Sequence, residues 1–399
     1  MRLRFPWLVA LAAALVGAGS ALAAEKKPSF FFQDGDRVVM LGDSITEQYL
    51  YTNYVEMWTV CRFPSWELTF RNVGIGGDRS PGGNSRFQRD VAAYHPTALT
   101  VDFGMNDGNY RAFDQAAFAT YRKGLQGIAD QAEAADIRVA WITPSPVEKA
   151  EKGPPLEGYN QTLEKFSKGV KVIAAKNDGL FIDQFHPFLH LEEKARAANP
   201  GNRIGGGDVV HPGPPGQAIM AWAILKGMHF PTLVAAVDID AAAAKVLRAD
   251  QCQVTDLAVK EGTITFQQQD AALPFFPPEA RSILKWAPIE EELNQYRLQV
   301  RGLKPGRYEV RLGGEKVAAY PAEELGAGVN LAAAALAKGP VARQVRAVWK
   351  TVRAKNEFFH EEIFRGLVLA NIPNRQRQTE LKERLAVMPA LDQAIHQAL

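Results

Sequence analysis

The sequence predicts an α/β fold with a largely parallel sheet, followed by a second region of mixed β and α character. Two observations carry this. Short apolar runs alternate with longer amphipathic stretches as far as Met228, and parallel neighbouring strands need a crossover that a helix supplies. After about Pro231 the alternation gives way to turn-linked runs with a period of two. The composition agrees. The chain has 399 residues, of which 47% are hydrophobic and 23% charged, which suits two domains or one enlarged domain and excludes a disordered, collagen-like or coiled-coil chain.

The first residues are of a different character. Basic Arg2 and Arg4 precede an apolar run from Phe5 through Val16 and Ala18, which closes in Ala21-Leu22-Ala23. This pattern reads as a secretory signal peptide over residues 1–23, cut after Ala23, and implies export to a periplasm or the medium. An uncleaved anchor is the alternative, because Phe5 to Ala24 is just long enough to span a bilayer. Pro6, the glycines and the processing site favour cleavage, with no stable membrane insertion afterwards. The formal charge of +2 falls to about neutral once Arg2 and Arg4 are removed, so nucleic-acid binding has no electrostatic support. Cys61 and Cys252 form no C-x-x-C motif, which argues against a zinc site or a disulfide scaffold; export permits a bridge between them without requiring one.

Five strands are expected in the first region, at Arg37–Leu41, Leu68–Val73, Ala98–Phe103, Arg138–Ile142 and Gly179–Ile182, each short and rich in Val, Ile, Leu or Phe. Helical patterns lie between them around Tyr51–Val60, Ser85–Ala93, Asp114–Ala135 and Gly158–Ala175, and a last helix is expected from Pro215 to Met228. These elements define a unit over residues 28–232. In the accessory region, 236–399, Tyr296–Leu303 and Arg307–Leu312 read as a hairpin about Lys304-Pro305-Gly306, and Val254–Val259 with Thr263–Gln267 as another about Glu261-Gly262. Two helical stretches, Val341–Leu367 and Arg375–Ala398, finish the chain.

Open parallel sheets place ligands at the carboxyl ends of their strands, so the loops there are where chemistry is expected. Gly42-Asp43-Ser44-Ile45-Thr46 follows the first strand, Asn72-Val73-Gly74-Ile75-Gly76-Gly77-Asp78 the second, and Gly104-Met105-Asn106-Asp107 the third. Asp208-Val209-Val210-His211-Pro212 stands near the end of the unit. A Gly-Asp-Ser tripeptide alone is weak; its co-occurrence with the other three segments, in this order, is not.

These four segments resemble the signature blocks of the SGNH, or GDSL-type, hydrolase superfamily of esterases and lipases, over roughly residues 36 to 230. The resemblance implies a flavodoxin-like three-layer α/β/α sandwich, with Ser44 as nucleophile, His211 as base and Asp208 orienting it. Gly77, through its backbone, and Asn106, through its side chain, then resemble the family's oxyanion donors, alongside the N–H of Ser44. Ile45 stands where leucine is common, a like-for-like apolar exchange.

The chemistry needs these residue types. A serine hydroxyl is a poor nucleophile until an imidazole takes its proton, and the imidazole's other nitrogen needs an acceptor. Attack on an ester builds negative charge on the carbonyl oxygen, and donors fixed around it lower the barrier most. A glycine at 77 lets the backbone approach the substrate closely.

The same residues admit other readings. Ser44 could merely cap the following helix. A dinucleotide loop at Gly74-Ile75-Gly76-Gly77 fails because Arg79 stands where a third glycine belongs. Asp183-Gln184-Phe185-His186-Pro187 repeats the spelling of Asp208 to Pro212, but Asp183 directly follows an apolar strand, whereas Asp208 sits in a glycine-rich loop before the last helix. His186 and His190 lack the glutamate of a helical zinc motif. Tyr49, Tyr51, Tyr54 and Trp58 read as core residues ahead of a sugar-stacking rim. Asp43, Asp78, Arg79 and Asn109 are candidate substrate contacts beside the site blocks, and Arg111 lies close to them.

The function expected is that of an exported serine esterase, a carboxylic ester hydrolase acting on short-chain acyl esters. O-acetyl groups on carbohydrate head the list of substrates, from family habit and export, and no metal or organic cofactor is required. A lipase or acyltransferase would use the same residues. The competing class is a carbohydrate or cell-surface binding protein that keeps the hydrolase unit as a scaffold.

Overall fold

The computed structural model of the chain describes residues 29–149 and 156–399. The segment read as a signal peptide lies outside the described residues. Among the described residues no helix is long and apolar enough to cross a membrane.

The first region is built on five parallel strands: β1 (Arg37–Gly42), β2 (Thr69–Asn72), β3 (Ala98–Asp102), β4 (Arg138–Ile142) and β5 (Leu180–Ile182). All five stand within one residue of their expected ends. They run in the order β2-β1-β3-β4-β5, the flavodoxin-like order, whose reversal between β1 and β3 opens a crevice at the carboxyl ends of those two strands. The helices are α1 (Ser44–Glu47), α2 (Leu50–Arg62), α3 (Ser80–Ser85), α4 (Phe87–Asp90), α5 (Gln115–Ala134), α6 (Asn160–Lys176), α7 (Phe185–Ala198) and α8 (Pro214–Gly227).

Strand alternation feeds two cores. Val38 and Met40 point into one with α2 and α8, while Val39 and Leu41 point into the other with α5 and α6, as a pleat with both faces covered requires. Tyr51, Tyr54 and Trp58 are core residues of α2. The single helix expected over Ser85–Ala93 is instead α3, α4 and a 3₁₀ turn at Ala92–Tyr94; at the break, Arg86 points its guanidinium inward to the carbonyls of Val73 and Gly42. The α7 helix has no counterpart among the expected elements; Pro187 stands in its first turn, where a missing N–H is tolerated.

The remaining chain adds β6 (Leu233–Asp240), β7 (Lys245–Asp250), β8 (Cys252–Lys260), β9 (Thr263–Asp270), β10 (Gln295–Arg301), β11 (Arg307–Leu312), β12 (Glu315–Pro321) and β13 (Val329–Asn330). The β8–β9 hairpin forms as expected, turning at Glu261 and Gly262. The second expected hairpin does not form. β10, with Tyr296, Leu298 and Val300 buried, lies parallel to β6 and antiparallel to β13. β11 pairs with β12 instead, across Gly313-Gly314 at φ +55° and +81°. Two consecutive positive φ values suit a two-residue hairpin turn, which a glycine pair adopts without steric cost and Pro305-Gly306 does not offer.

The C-terminal helices join the α/β unit. Val345, Val348 and Val352 of the helix Pro340–Glu357 enter the α2/α8 core. On that helix, buried Lys355 donates to Glu56 of α2, and Asn356 Nδ2 donates to Asn53 Oδ1 and Glu56 Oε2 at 2.7 Å each. The expected helix over Val341–Leu367 changes at Phe358 to a π-helical run through Val368. The last expected helix is two, Asn374–Leu385 and Met388–Ala398, with Pro389 near the start of the second. Arg71 of β2 and Asp392 are joined by two hydrogen bonds, of 2.6 and 3.1 Å. Cys61 and Cys252 are unbridged.

Candidate active site

Ser44 is the first residue of α1, directly after β1. The chain must turn from strand to helix within one residue, and Asp43 secures the turn by accepting from the N–H of Ile45 at 3.0 Å, as N-cap carboxylates do. The loop after β2 is tied to the same helix by Asn72. Its Nδ2 donates to the Thr46 carbonyl at 2.7 Å and to Thr52 Oγ1 at 2.9 Å, while its Oδ1 accepts from the N–H of Gly74 at 2.9 Å. Gly77 follows in that loop, exposed and at φ +73°.

Asn106, in the loop after β3, is 7% exposed. Its Nδ2 donates to the carbonyl of Asp78, the neighbour of Gly77, at 3.0 Å and lies 3.4 Å from Asp43 Oδ2. The blocks after β1, β2 and β3 therefore meet through Asn106, at the crevice that the strand order opens.

His211 arrives from the loop before α8. Ser44 Oγ is 2.9 Å from His211 Nε2, and His211 Nδ1 is 3.0 Å from Asp208 Oδ2. Asp208 Oδ1 accepts the N–H groups of Val210 and His211 at 2.7 Å each, which folds the Asp-x-x-His segment so that the two side chains face each other. Although partial burial opposes it, these backbone donors and the imidazole hold the Asp208 carboxyl below its ordinary range. The loop wraps tightly: a β-carbon at position 207 would fall 1.9 Å from the His211 carbonyl, so only glycine fits. Glu148 clamps the loop from below, with Oε1 accepting from Ile204 and Gly205 at 2.9 and 2.8 Å and its own N–H donating to the Val209 carbonyl at 3.0 Å.

The repeated spelling makes the same local fold, with His186 Nδ1 2.7 Å from Asp183 Oδ2. It does so at the start of α7, where His186 is exposed, while His211 alone of the two imidazoles reaches Ser44.

The four candidate substrate contacts fall in different places. Asp43 is 3% exposed and caps α1 rather than facing solvent. The Asp78 side chain is committed to Arg86 Nε at 2.8 Å and the N–H of Arg79 at 2.8 Å. The Arg79 side chain is exposed beside Gly77, and Asn109 is half-buried at φ +59°. Sequence reasoning gave no role to Glu148, which acts on backbone groups, or to Tyr110, whose hydroxyl donates to Asn106 Oδ1 at 2.6 Å. Among the described residues no cluster of His, Cys, Asp and Glu is arranged to hold a metal.

Three carboxyls are buried under the site. Burial, then the charges of Asp107 and Asp78, pushes Asp43 up to about 7; burial pushes Asp107 up to about 6 against the donors of Ser80; burial and then Asp43 raise Asp102 well above the ordinary range. Because the folded state favours the protonated acids, it binds more protons than the unfolded chain between pH about 4 and about 7, and this contribution to stability is lost as pH rises through that window. Asp102 accepts from Gln184 Nε2 at 3.0 Å, and Asp102→Asn replaces it with a side chain of equal shape that cannot ionise. The Tm of that variant relative to wild type is expected to be higher at pH 8 than at pH 5, by on the order of 2 °C, in thermal unfolding. An unchanged difference contradicts the assignment.

Residues 40–219 match the GDSL-like Lipase/Acylhydrolase family, and this span holds Ser44, Gly77, Asn106, Asp208 and His211. Over this span the chain belongs to the SGNH/GDSL hydrolase superfamily. It is a carboxylic ester hydrolase. An acetylxylan esterase of Geobacillus stearothermophilus is 24% identical over 218 residues, covering 49% of this chain and 95% of that protein. The solved structure of a gut microbial diltiazem-metabolizing enzyme superposes with a TM-score of 0.80 at 24% identity over 92% of this chain and 96% of the other. That fold likeness extends beyond the hydrolase unit into the C-terminal region. The crystal structure of the acetylxylan esterase Axe2 from Geobacillus stearothermophilus covers 50% of this chain and 97% of its own, with 23% identity and a TM-score of 0.43.

Proposed function

We propose that this protein is an exported serine esterase that removes short acyl groups, acetyl foremost, from carbohydrate, through Ser44, His211 and Asp208. The observation that carries the reading is the unbroken relay from Ser44 Oγ to His211 Nε2 at 2.9 Å and from His211 Nδ1 to Asp208 Oδ2 at 3.0 Å. As the hydroxyl attacks the ester carbonyl, its proton passes to Nε2, and Asp208 holds the tautomer and stabilises the imidazolium. The carbonyl oxygen becomes an oxyanion received by the N–H groups of Ser44 and Gly77 and by Asn106 Nδ2. Collapse breaks the bond to the alcohol, which leaves with the proton from His211. Water then loses a proton to His211, attacks the acyl-enzyme and releases the carboxylic acid, restoring Ser44.

Three considerations support an acetylated glycan. The N-terminal segment reads as an export signal; a relative matched over 218 residues is an acetylxylan esterase; and the sequence of the site loops carries no extended apolar run that could form a lid over a long acyl chain. Arg79, exposed beside Gly77, is the substrate contact to which this reading gives most weight. The test is hydrolysis of p-nitrophenyl esters of rising chain length, together with acetate release from acetylated xylo-oligosaccharides. Activity is expected to be highest on acetyl and to fall steeply by octanoyl, with acetate released from the glycan. Preference for octanoyl, or no acetate release, overturns the substrate assignment.

A further inference from the structure

We infer that Tyr110 is a positioning residue for the oxyanion hole, fixing the amide of Asn106 with its nitrogen end toward the reacting oxygen; this rests on the proposed role of Asn106. An asparagine amide can turn over and present either end, and only the nitrogen end donates. Three partners set the choice here. Nδ2 donates to the Asp78 carbonyl at 3.0 Å and faces Asp43 Oδ2 at 3.4 Å, while Oδ1 accepts the Tyr110 hydroxyl at 2.6 Å. The long contact to Asp43 leaves the second hydrogen of Nδ2 only weakly engaged and available to an oxyanion. A flip is opposed because an inverted amide would aim Oδ1 at the Asp78 carbonyl, which can only accept, and would lose the short bond from Tyr110. A donor on the carbonyl end also polarises the amide and strengthens its N–H bonds.

The phenol is held for this task. Asn109 and Tyr110 both adopt left-handed backbone, at φ +59° and +54°, a costly conformation for consecutive non-glycine residues that recurs at functional sites. The Tyr110 ring leans on Tyr159 with centroids 5.4 Å apart, and Tyr159 is anchored by its hydroxyl to the Met105 carbonyl at 2.7 Å, next to Asn106. Burial, then the charge of Asp43, pushes the phenol up to about 12, so it remains a donor at any working pH.

The experiment is a double-mutant cycle on p-nitrophenyl acetate with Tyr110→Phe, Asn106→Ala and the pair, with Tm recorded for each. Tyr110→Phe is expected to lower kcat about 10-fold with KM within twofold, and to have no further effect in the Asn106→Ala background, where there is no amide to orient. A kcat within twofold of wild type overturns the inference. So does an equal loss in both backgrounds, which would place the effect elsewhere, and a Tm deficit of the same size in both backgrounds would mark it as structural. If Asn106→Ala itself costs nothing, the proposed oxyanion hole fails and this inference with it. If Asn106→Ala is crippled while Tyr110→Phe is not, this inference fails alone.

Discussion

Alanine in place of Ser44 is expected to reduce ester hydrolysis by roughly 10⁴- to 10⁶-fold in kcat, with thermal unfolding unchanged within about 2 °C. The size of the loss follows from the mechanism: without the hydroxyl there is no acyl-enzyme, and the remaining donors can only assist direct attack by water. Stability should hold because Ser44 is half-exposed and the helix cap is the Asp43 carboxylate, which the substitution leaves in place. His211→Ala should cost a similar factor, since a hydroxyl without its 2.9 Å partner keeps its proton. The double variant should be no worse than either single one, because the two groups act as a unit. Steady-state kinetics on p-nitrophenyl acetate reads all three, and additive losses would contradict a shared step.

The second large effect is expected at Asn106. Removing its amide takes one of the three proposed donors from the developing oxyanion, a loss that typically costs about 10²- to 10³-fold in turnover. The loss should appear in kcat with KM nearly unchanged, because the ground-state carbonyl gains little from a donor placed for the tetrahedral oxygen. A rise in KM at constant kcat would instead make Asn106 a substrate contact.

The hydrolase unit was legible in the sequence because its signals are local. Each of β1 to β5 is a short apolar run between turn residues, and each site block lies in the loop just beyond a strand, so motif and fold could be read together. The relation of Asp208 to His211 was legible for the same reason: three residues apart, they are folded together by their own backbone N–H groups. What escaped were features fixed by packing. Nothing in Tyr296–Leu303 says that its buried face will be claimed by β6 rather than by the strand beyond the Pro-Gly turn, although the Gly313-Gly314 pair was the better hairpin signal. Glu148 donates to and accepts from backbone groups, so its role leaves no motif. Tyr110 becomes visible only when its hydroxyl is found on Asn106. The pairing of Lys355 with Glu56 and of Asp392 with Arg71 spans most of the chain, and no local pattern foretells that the C-terminal helices will pack on the hydrolase unit.

Covalent trapping tests the proposed role of Ser44 most directly. Treated with a small fluorophosphonate, which captures serine nucleophiles activated by a neighbouring base, the protein should take up a single phosphonyl group. Peptide mass spectrometry should place it on Ser44, hydrolytic activity should disappear in step with labelling, and His211→Ala should label far more slowly. An enzyme that loses its activity with the group on another residue, or keeps its activity with Ser44 fully modified, would contradict the account.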